Sequence, residues 1–223
     1  MSTQTAPAIT TLPRINEPAP DFEAKSTAGP LKLSDFRGRW VVLFSHPADF
    51  TPVCSTELVE FARRSEEFRQ RNVQLVGLSV DSVPSHIAWI RNMREHFKVN
   101  IDFPVIADLD TKVAQKYGLI HPGASETATV RAVFIIDDKG IVRALIYYPM
   151  SLGRNIDEIL RAVDGLQTAD ENACATPANW RPGDKVVVPP PQTLDDAEKR
   201  MQSDYEVTDW YFSKRDLPGK SNS

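Results

Sequence analysis

The stretch Trp40-Val41-Val42-Leu43-Phe44-Ser45-His46-Pro47-Ala48-Asp49-Phe50-Thr51-Pro52-Val53-Cys54 decides the fold of this chain. Residues 40–45 form a short apolar, β-branched run, the pattern of a buried strand. Thr51 followed by Pro52 marks a helix start, with Thr51 at the N-cap and proline at the first helical position. Leu58, Phe61, Ala62 and Phe68 then recur at helical spacing and predict a helix over 52–70. On that count Cys54 is the third helical residue. First-turn N–H groups have no intrahelical partner, and the helix dipole favours negative charge there, so the position favours a thiolate. A free cysteine is more often a small buried hydrophobe. Here the strand-end position, the flanking Pro47 and Pro52, and a hydroxyl three residues upstream outweigh that default.

Working outward, the middle of the chain alternates between strand and helix periods. Residues 73–80 (VQLVGLSV) predict a second strand, and 84–97 a second helix with Ser82 as N-cap and an Ile87/Ile90/Met93/Phe97 core stripe. A short strand over 103–106 and a short helix over 110–117 follow, the helix ended by Gly118. Strands 132–136 and 142–147 flank Asp138-Lys139-Gly140, a hairpin turn, and 156–166 is a last core helix. Strand–helix alternation closed by a hairpin implies a central mixed sheet with helices on its faces, an α/β sandwich of the thioredoxin type. Its ligand site belongs where a strand's carboxyl end meets the next helix.

The 17 prolines gather at the ends, with five in residues 1–30 and six in 177–223. Proline fixes φ and removes a backbone donor, so both ends read as extended. The expected division is a flexible segment over 1–15, a thioredoxin-like domain over 16–172 and an extended arm over 173–223. In the arm, Trp180, Val186 to Val188 and Trp210 to Phe212 are apolar anchors between proline breaks. Such a segment lacks a compact core of its own and is expected to wrap over the main domain or over a second subunit.

Composition narrows the function. Hydrophobic residues make up 41% and charged residues 25% of the 223, enough to bury a core. Lys plus Arg is 26 against 30 Asp plus Glu, a net charge of −4 with no basic excess for phosphates, so nucleic acid is not an expected partner. No apolar run reaches membrane-spanning length, so no membrane partner is expected either. The first thirteen residues hold no charged side chain and no apolar secretory core. Two cysteines, Cys54 and Cys174, are too few for a disulfide scaffold, and a reducing, cytoplasmic location is expected.

The segment FSHPADFTPVCSTEL resembles the peroxiredoxin active-site motif Pro-x-x-x-Thr-x-x-Cys, matched by Pro47, Thr51 and Cys54. Ser45-His46-Pro47 before it, and Ala175-Thr176-Pro177-Ala178-Asn179-Trp180 in the arm, resemble the one-cysteine (peroxiredoxin-six) subgroup. The likeness runs from about Asn16 to Leu217. It implies a thiol peroxidase that reduces hydrogen peroxide and organic hydroperoxides, protects against oxidative stress, and uses an external thiol reductant and no cofactor or metal. It also implies a homodimer or higher homo-oligomer. By the resemblance, Cys54 attacks the peroxide, Thr51 offers its hydroxyl to thiolate and peroxide, and Pro47 shields the pocket. Arg131 stabilises the thiolate and polarises the O–O bond, and Val53 joins Thr51, Cys54 and Arg131 in binding substrate. Arg154 is a second arginine, Glu57 positions the pair, and His46 lies beside the pocket. Residue chemistry alone leaves both arginines as open to surface ion pairing as to catalysis.

Competing chemistries are poorly served. No C-x-x-C exists for a dithiol reductase. His46, His86, His96 and His121 lack zinc-ligand spacing, and His86 and His96 are expected in solvent. A cysteine hydrolase lacks an oxyanion loop. Some members of the resembled subgroup carry a Gly-x-Ser-x-Gly phospholipase motif, but the matching stretch here is Phe36-Arg37-Gly38-Arg39-Trp40, with no such serine. Cys174 reads either as an incidental small residue or as a resolving thiol. The alternative to an enzyme is a peroxide-sensing redox switch or holdase chaperone.

Overall fold

A computed structural model describes residues 12–217. The expected flexible segment over 1–15 falls mostly outside them, as do the last residues of the arm. The described residues group into two compact units that part after Ile156.

The first unit is built on a seven-stranded mixed sheet. In chain order its strands are β1 (Glu23–Ser26), β2 (Gly29–Lys32), β3 (Trp40–Ser45), β4 (Val73–Ser79), β5 (Val105–Ala107), β6 (Arg131–Ile136) and β7 (Val142–Tyr148), arranged β2-β1-β5-β4-β3-β6-β7. β3, β4 and β5 run parallel; β6 and β7 form the antiparallel hairpin, and β1 and β2 a second one at the other edge. Every residue of β3 and β6 is buried, as unbroken apolar runs require of strands covered on both faces. The pleat divides their side chains. Val41 and Leu43 join Phe134, Ile136, Tyr117 and Phe22 on one face. On the other, Phe44 stacks on Phe61 at 4.1 Å and meets Phe103 edge-on at 5.8 Å.

The connecting helices are α1 (Pro52–Arg63), α2 (Ser65–Gln70), α3 (Val83–Phe97) and α4 (Lys112–Lys116). The single helix expected over 52–70 is two, broken at Arg64 (φ −103°, ψ 8°), so that Phe61 and Phe68 both turn inward. Helix α4 is shorter than expected because Thr111 takes a left-handed φ of 59° and Asp108 supplies the acceptor for the N–H groups of Val113 and Ala114. Gly118 (φ 61°) ends it as expected. The stripe on α3 is rotated from the expected one: His86, Trp89 and Met93 are buried, while Ile87 and Phe97 face solvent. Ser82 caps α3 by accepting from the Ser85 N–H. The hairpin turn is held by Asp137, which accepts from the Lys139 and Ile141 N–H groups, with Gly140 at φ 79°.

The second unit starts at Asp157, the second residue of α5 (Ile156–Asn172), a helix longer than expected, and ends in a three-stranded antiparallel sheet of β8 (Val186–Val187), β9 (Glu206–Asp209) and β10 (Phe212–Arg215), ordered β8-β10-β9, with α6 (Leu194–Arg200) between. The extended reading of these residues therefore missed a small sheet. Trp180 and Val186 are buried and the Trp180 indole donates to Asp184 O, but Leu194, Met201, Trp210 and Tyr211 remain exposed.

Candidate active site

The carboxyl end of β3 delivers His46, and the loop that follows re-enters the fold as α1. Thr51 is extended (φ −103°, ψ 148°) and Pro52 is the first helical residue, as the sequence predicts. The expected side-chain cap is absent. Thr51 Oγ1 instead donates to Ala48 O at 2.9 Å, which turns the hydroxyl back over the loop and leaves its lone pairs available. Phe50, just before it, has a left-handed φ of 53°, a strained conformation for an aromatic residue, and is exposed. Cys54 follows in the first turn of α1 and is 1% exposed.

Around this sulfur the fold brings together residues far apart in sequence. Arg131, the first residue of β6, places Nη1 3.2 Å from Cys54 Sγ. The same nitrogen donates to Glu57 Oε2 at 2.7 Å, one turn further along α1, while Nε and Nη2 donate to Met150 O. Arg154 completes the cage: its backbone N–H and Nε donate to Glu57 Oε1, Nη2 donates to Oε2 at 2.6 Å, and Nη1 reaches the carbonyls of Ser45 and Ala132. Its guanidinium also lies over the rings of Phe44 and Phe61. Burial disfavours the Arg154 cation and Glu57 opposes that effect. Both arginines and Glu57 are buried, so they are not surface ion pairs. Two cations against one carboxylate leave net positive charge beside the sulfur, which with the helix start suits an oxyanion formed on a bound substrate. Pro47 is buried; Val53 is half-buried, its Cγ1 near Gly153.

His46 is fully buried, and its Nε2 donates to Asp49 Oδ1 at 3.1 Å. His86, expected in solvent, is buried too, with Nδ1 2.8 Å from Asp49 Oδ2 and Nε2 3.1 Å from Ile106 O. Its own helix turn aims it inward because Trp89 and Met93 share that stripe. His96 is exposed, as expected. His46, Asp49 and His86 are the one group of metal-ligating side chains found close together among the described residues. Their facing atoms are already joined by hydrogen bonds. The sequence hid this set because its members come from a loop and a helix with no ligand-like spacing; the buried Trp89/Met93 phase of α3 was the available signal.

Cys174 lies in the second unit, just after α5. It is half-buried, its thiol faces Thr168 O at 3.8 Å, and burial pushes its titration upward. No described helix is long and apolar enough to cross a membrane.

Comparison with known proteins agrees with this geometry. The AhpC/TSA family model matches residues 15–145, and the model for the C-terminal domain of 1-Cys peroxiredoxin matches 165–204. A peroxiredoxin of Aquifex aeolicus is 59% identical over 218 residues, spanning 93% of this chain and 98% of the relative. One of Thermotoga maritima is 55% identical over 207 residues, 90% of this chain and 96% of its own. Among solved structures, a yeast mitochondrial 1-Cys peroxiredoxin superposes with a TM-score of 0.83 at 41% identity, covering 92% of this chain and 99% of that one. The Peroxiredoxin 6 of Arenicola marina gives 0.82 at 36% identity, covering 93% and 99%. A cysteine at a helix start, caged by two buried arginines on a thioredoxin-like sheet, thus sits in a chain that belongs to the peroxiredoxin family, in its one-cysteine branch, and is a thiol-dependent peroxidase.

Proposed function

We propose that Cys54 is the peroxidatic residue and that Thr51, Arg131 and Pro47 complete its pocket, with Val53 as a further wall. The observation that carries this reading is Arg131 Nη1 at 3.2 Å from a sulfur in the first turn of α1. The Cys54 thiolate attacks the terminal oxygen of a hydroperoxide. The S–O bond forms as the O–O bond breaks, the departing oxygen takes up a proton to leave as water or an alcohol, and Cys54 becomes a sulfenic acid. Arg131 and the Thr51 hydroxyl meet the negative charge on the reacting oxygens, while Glu57 and Arg154 hold Arg131 without moving. An external thiol then condenses with the sulfenic acid, releasing water, and a second thiol returns Cys54 to its reduced state.

The reading extends to a homodimer in a reducing, cytoplasmic setting, with residues 16–172 as the peroxidase domain and 173–223 as an arm that engages a second subunit. Exposed Leu194, Met201, Trp210 and Tyr211 support the arm's role, because apolar side chains gathered on one segment gain from being covered. Deleting 173–223 is expected to weaken the oligomer in sedimentation; an unchanged, soluble species would reduce the arm to a tail. For the chemistry, Cys54→Ser is expected to abolish peroxide consumption with an excess of thiol donor. Continued turnover in that variant would remove Cys54 from the role. Turnover beyond one equivalent in wild type separates the enzyme from a redox switch or holdase.

A further inference from the structure

Helix α3 sends three neighbouring side chains into the segment that carries the reactive cysteine. Ser85 Oγ donates to Asp49 Oδ2 at 2.7 Å, His86 faces the same carboxylate, and Trp89 Nε1 donates to Ser55 Oγ, the residue after Cys54. The Trp89 ring also lies against His46, 5.2 Å between centroids. Asp49 is fixed from behind as well, since its backbone N–H donates to Asp81 Oδ2, itself held by Ser79 Oγ. None of Ser85, His86 and Trp89 lies in the active-site motif.

The hydrogen bonds around Asp49 settle the protons. Burial raises the Asp49 carboxyl, but bonds from His46 and His86 outweigh it and hold the group well below the usual carboxylate range. An ionised carboxylate can only accept, so each nitrogen that faces it carries hydrogen. That places a proton on His46 Nε2. Burial opposes a second proton on this ring, with Asp49 pulling the other way and His86 and Arg154 adding repulsion; the balance is a lowered, neutral His46. Its Nδ1 is then a bare lone pair, and it is the atom of His46 that is buried with no hydrogen-bond partner. A buried acceptor left open is costly, and such atoms mark positions where a further group arrives.

We propose that His86 is a positioning residue for the peroxidase reaction: acting through Asp49, it locks His46 in the Nε2–H form, so that Nδ1 stands open as an acceptor for a hydroxyl in the neighbouring pocket. His86 needs two bonds for this. Nδ1–H pins Asp49, and Nε2, 3.1 Å from Ile106 O, sets the ring against β5. Without the first, Asp49 keeps only the Ser85 bond from α3, and the His46 ring is freer to exchange tautomers or turn.

The inference rests on the peroxidase assignment to the Cys54 pocket, so the experiment reads the ring directly as well as the rate. In full-length protein labelled with ¹⁵N-histidine, His46 is expected to show one protonated nitrogen, Nε2, and one unprotonated, Nδ1; a proton on Nδ1 in wild type overturns the proposal whatever the variants do. His86→Asn keeps a donor near Nδ1 and is expected to preserve both the His46 signature and kcat/KM within about threefold. His86→Gln, whose longer amide reaches toward Ile106 O instead, is expected to mix the tautomers and lower kcat/KM about tenfold, as for loss of a hydrogen bond to a charged group. Equal rates and signatures in the two variants would show that His86 only fills space. If wild type shows the expected tautomer but Cys54→Ser still turns over, the peroxidase assignment fails and the ring geometry stands.

Discussion

The two cysteines stand at opposite poles of helices. Cys54 is the third residue of α1, where free N–H groups and the positive end of the dipole meet the sulfur, and Arg131 adds a guanidinium at 3.2 Å. Cys174 follows the last turn of α5, just past Ala173 in a left-handed conformation (φ 46°), at the negative end of the helix dipole, where its thiol faces Thr168 O. Burial acts on both sulfurs. Arg131 lies against the Cys54 sulfur, whereas burial pushes the Cys174 thiol up and Arg215 opposes it only in part. Position on a helix, more than residue type or exposure, distinguishes the surroundings of the two sulfurs.

The largest test of that contrast removes the guanidinium. Arg131→Lys keeps the charge but loses the fork that reaches Cys54, Glu57 and Met150 together. The second-order rate with peroxide is expected to fall by about 10²–10³, the scale of losing a placed donor to a developing oxyanion. Stopped-flow measurement at matched folding reads this. A loss below fivefold would leave the helix start as the main source of activation.

Next comes the hydroxyl. Because Thr51 Oγ1 donates to Ala48 O and not to the helix, Thr51→Val is expected to slow peroxide reduction far more than Thr51→Ser while costing under about 1 kcal/mol, less than a lost N-cap. Equal rates would take Thr51 out of the reaction. Equal rates with a full cap-sized loss of stability would show that the hydroxyl serves the helix after all.

How much of this contrast was legible beforehand depends on distance along the chain. Thr51, Pro52 and Cys54 lie within four residues, and local rules place them. The buried runs of β3 and β6 and the turn at Gly140 are likewise local. Arg131 and Arg154 are 77 and 97 positions from the atoms they bind, Cys54 Sγ and Glu57, so only the family likeness pointed to them. His86 was misread because α3 offers two competing apolar stripes, and Ile87/Ile90/Phe97 looks the more hydrophobic. The sheet chose the phase with Trp89, whose indole pairs with Ser55. The β1–β2 hairpin and the β8–β10 sheet were missed because strands of two to four residues carry too little alternation to register. The break at Arg64 has neither proline nor glycine to announce it.

The wall behind Cys54 sharpens the contrast through stability. His46 is buried neutral, its folded titration shifted down by burial. The unfolded chain therefore binds more protons below pH ~6.5, and stability present above that value is lost as pH falls. Asp49 acts in the same direction further down: its carboxyl is held low in the fold, so its contribution is full above pH ~4 and lost below. Chemical denaturation at pH 7.5 and 5.5 is expected to differ by about 1 kcal/mol from the His46 effect. The difference should shrink in His46→Phe. A pH-independent midpoint would mean that the ring takes up a proton without leaving its site.

The smallest expected effect is at Cys174, and it is the sharpest test of the comparison. If helix position sets reactivity, Cys174→Ser should leave turnover with a small-thiol donor within about twofold, because the thiolate is the nucleophile in exchange and burial disfavours it here. An internal resolving thiol would need to ionise and reach a sulfur that is 1% exposed in the first turn of α1. Cys174 starts from a contact with a carbonyl at a helix's negative end. Non-reducing electrophoresis after one equivalent of peroxide should show no Cys54–Cys174 bridge, and a sulfenic acid on Cys54 should be trappable. A bridge in wild type, together with lost turnover in Cys174→Ser, would break the contrast: the disfavoured thiol would then be a working partner, and its resting contact with Thr168 one state of a moving segment.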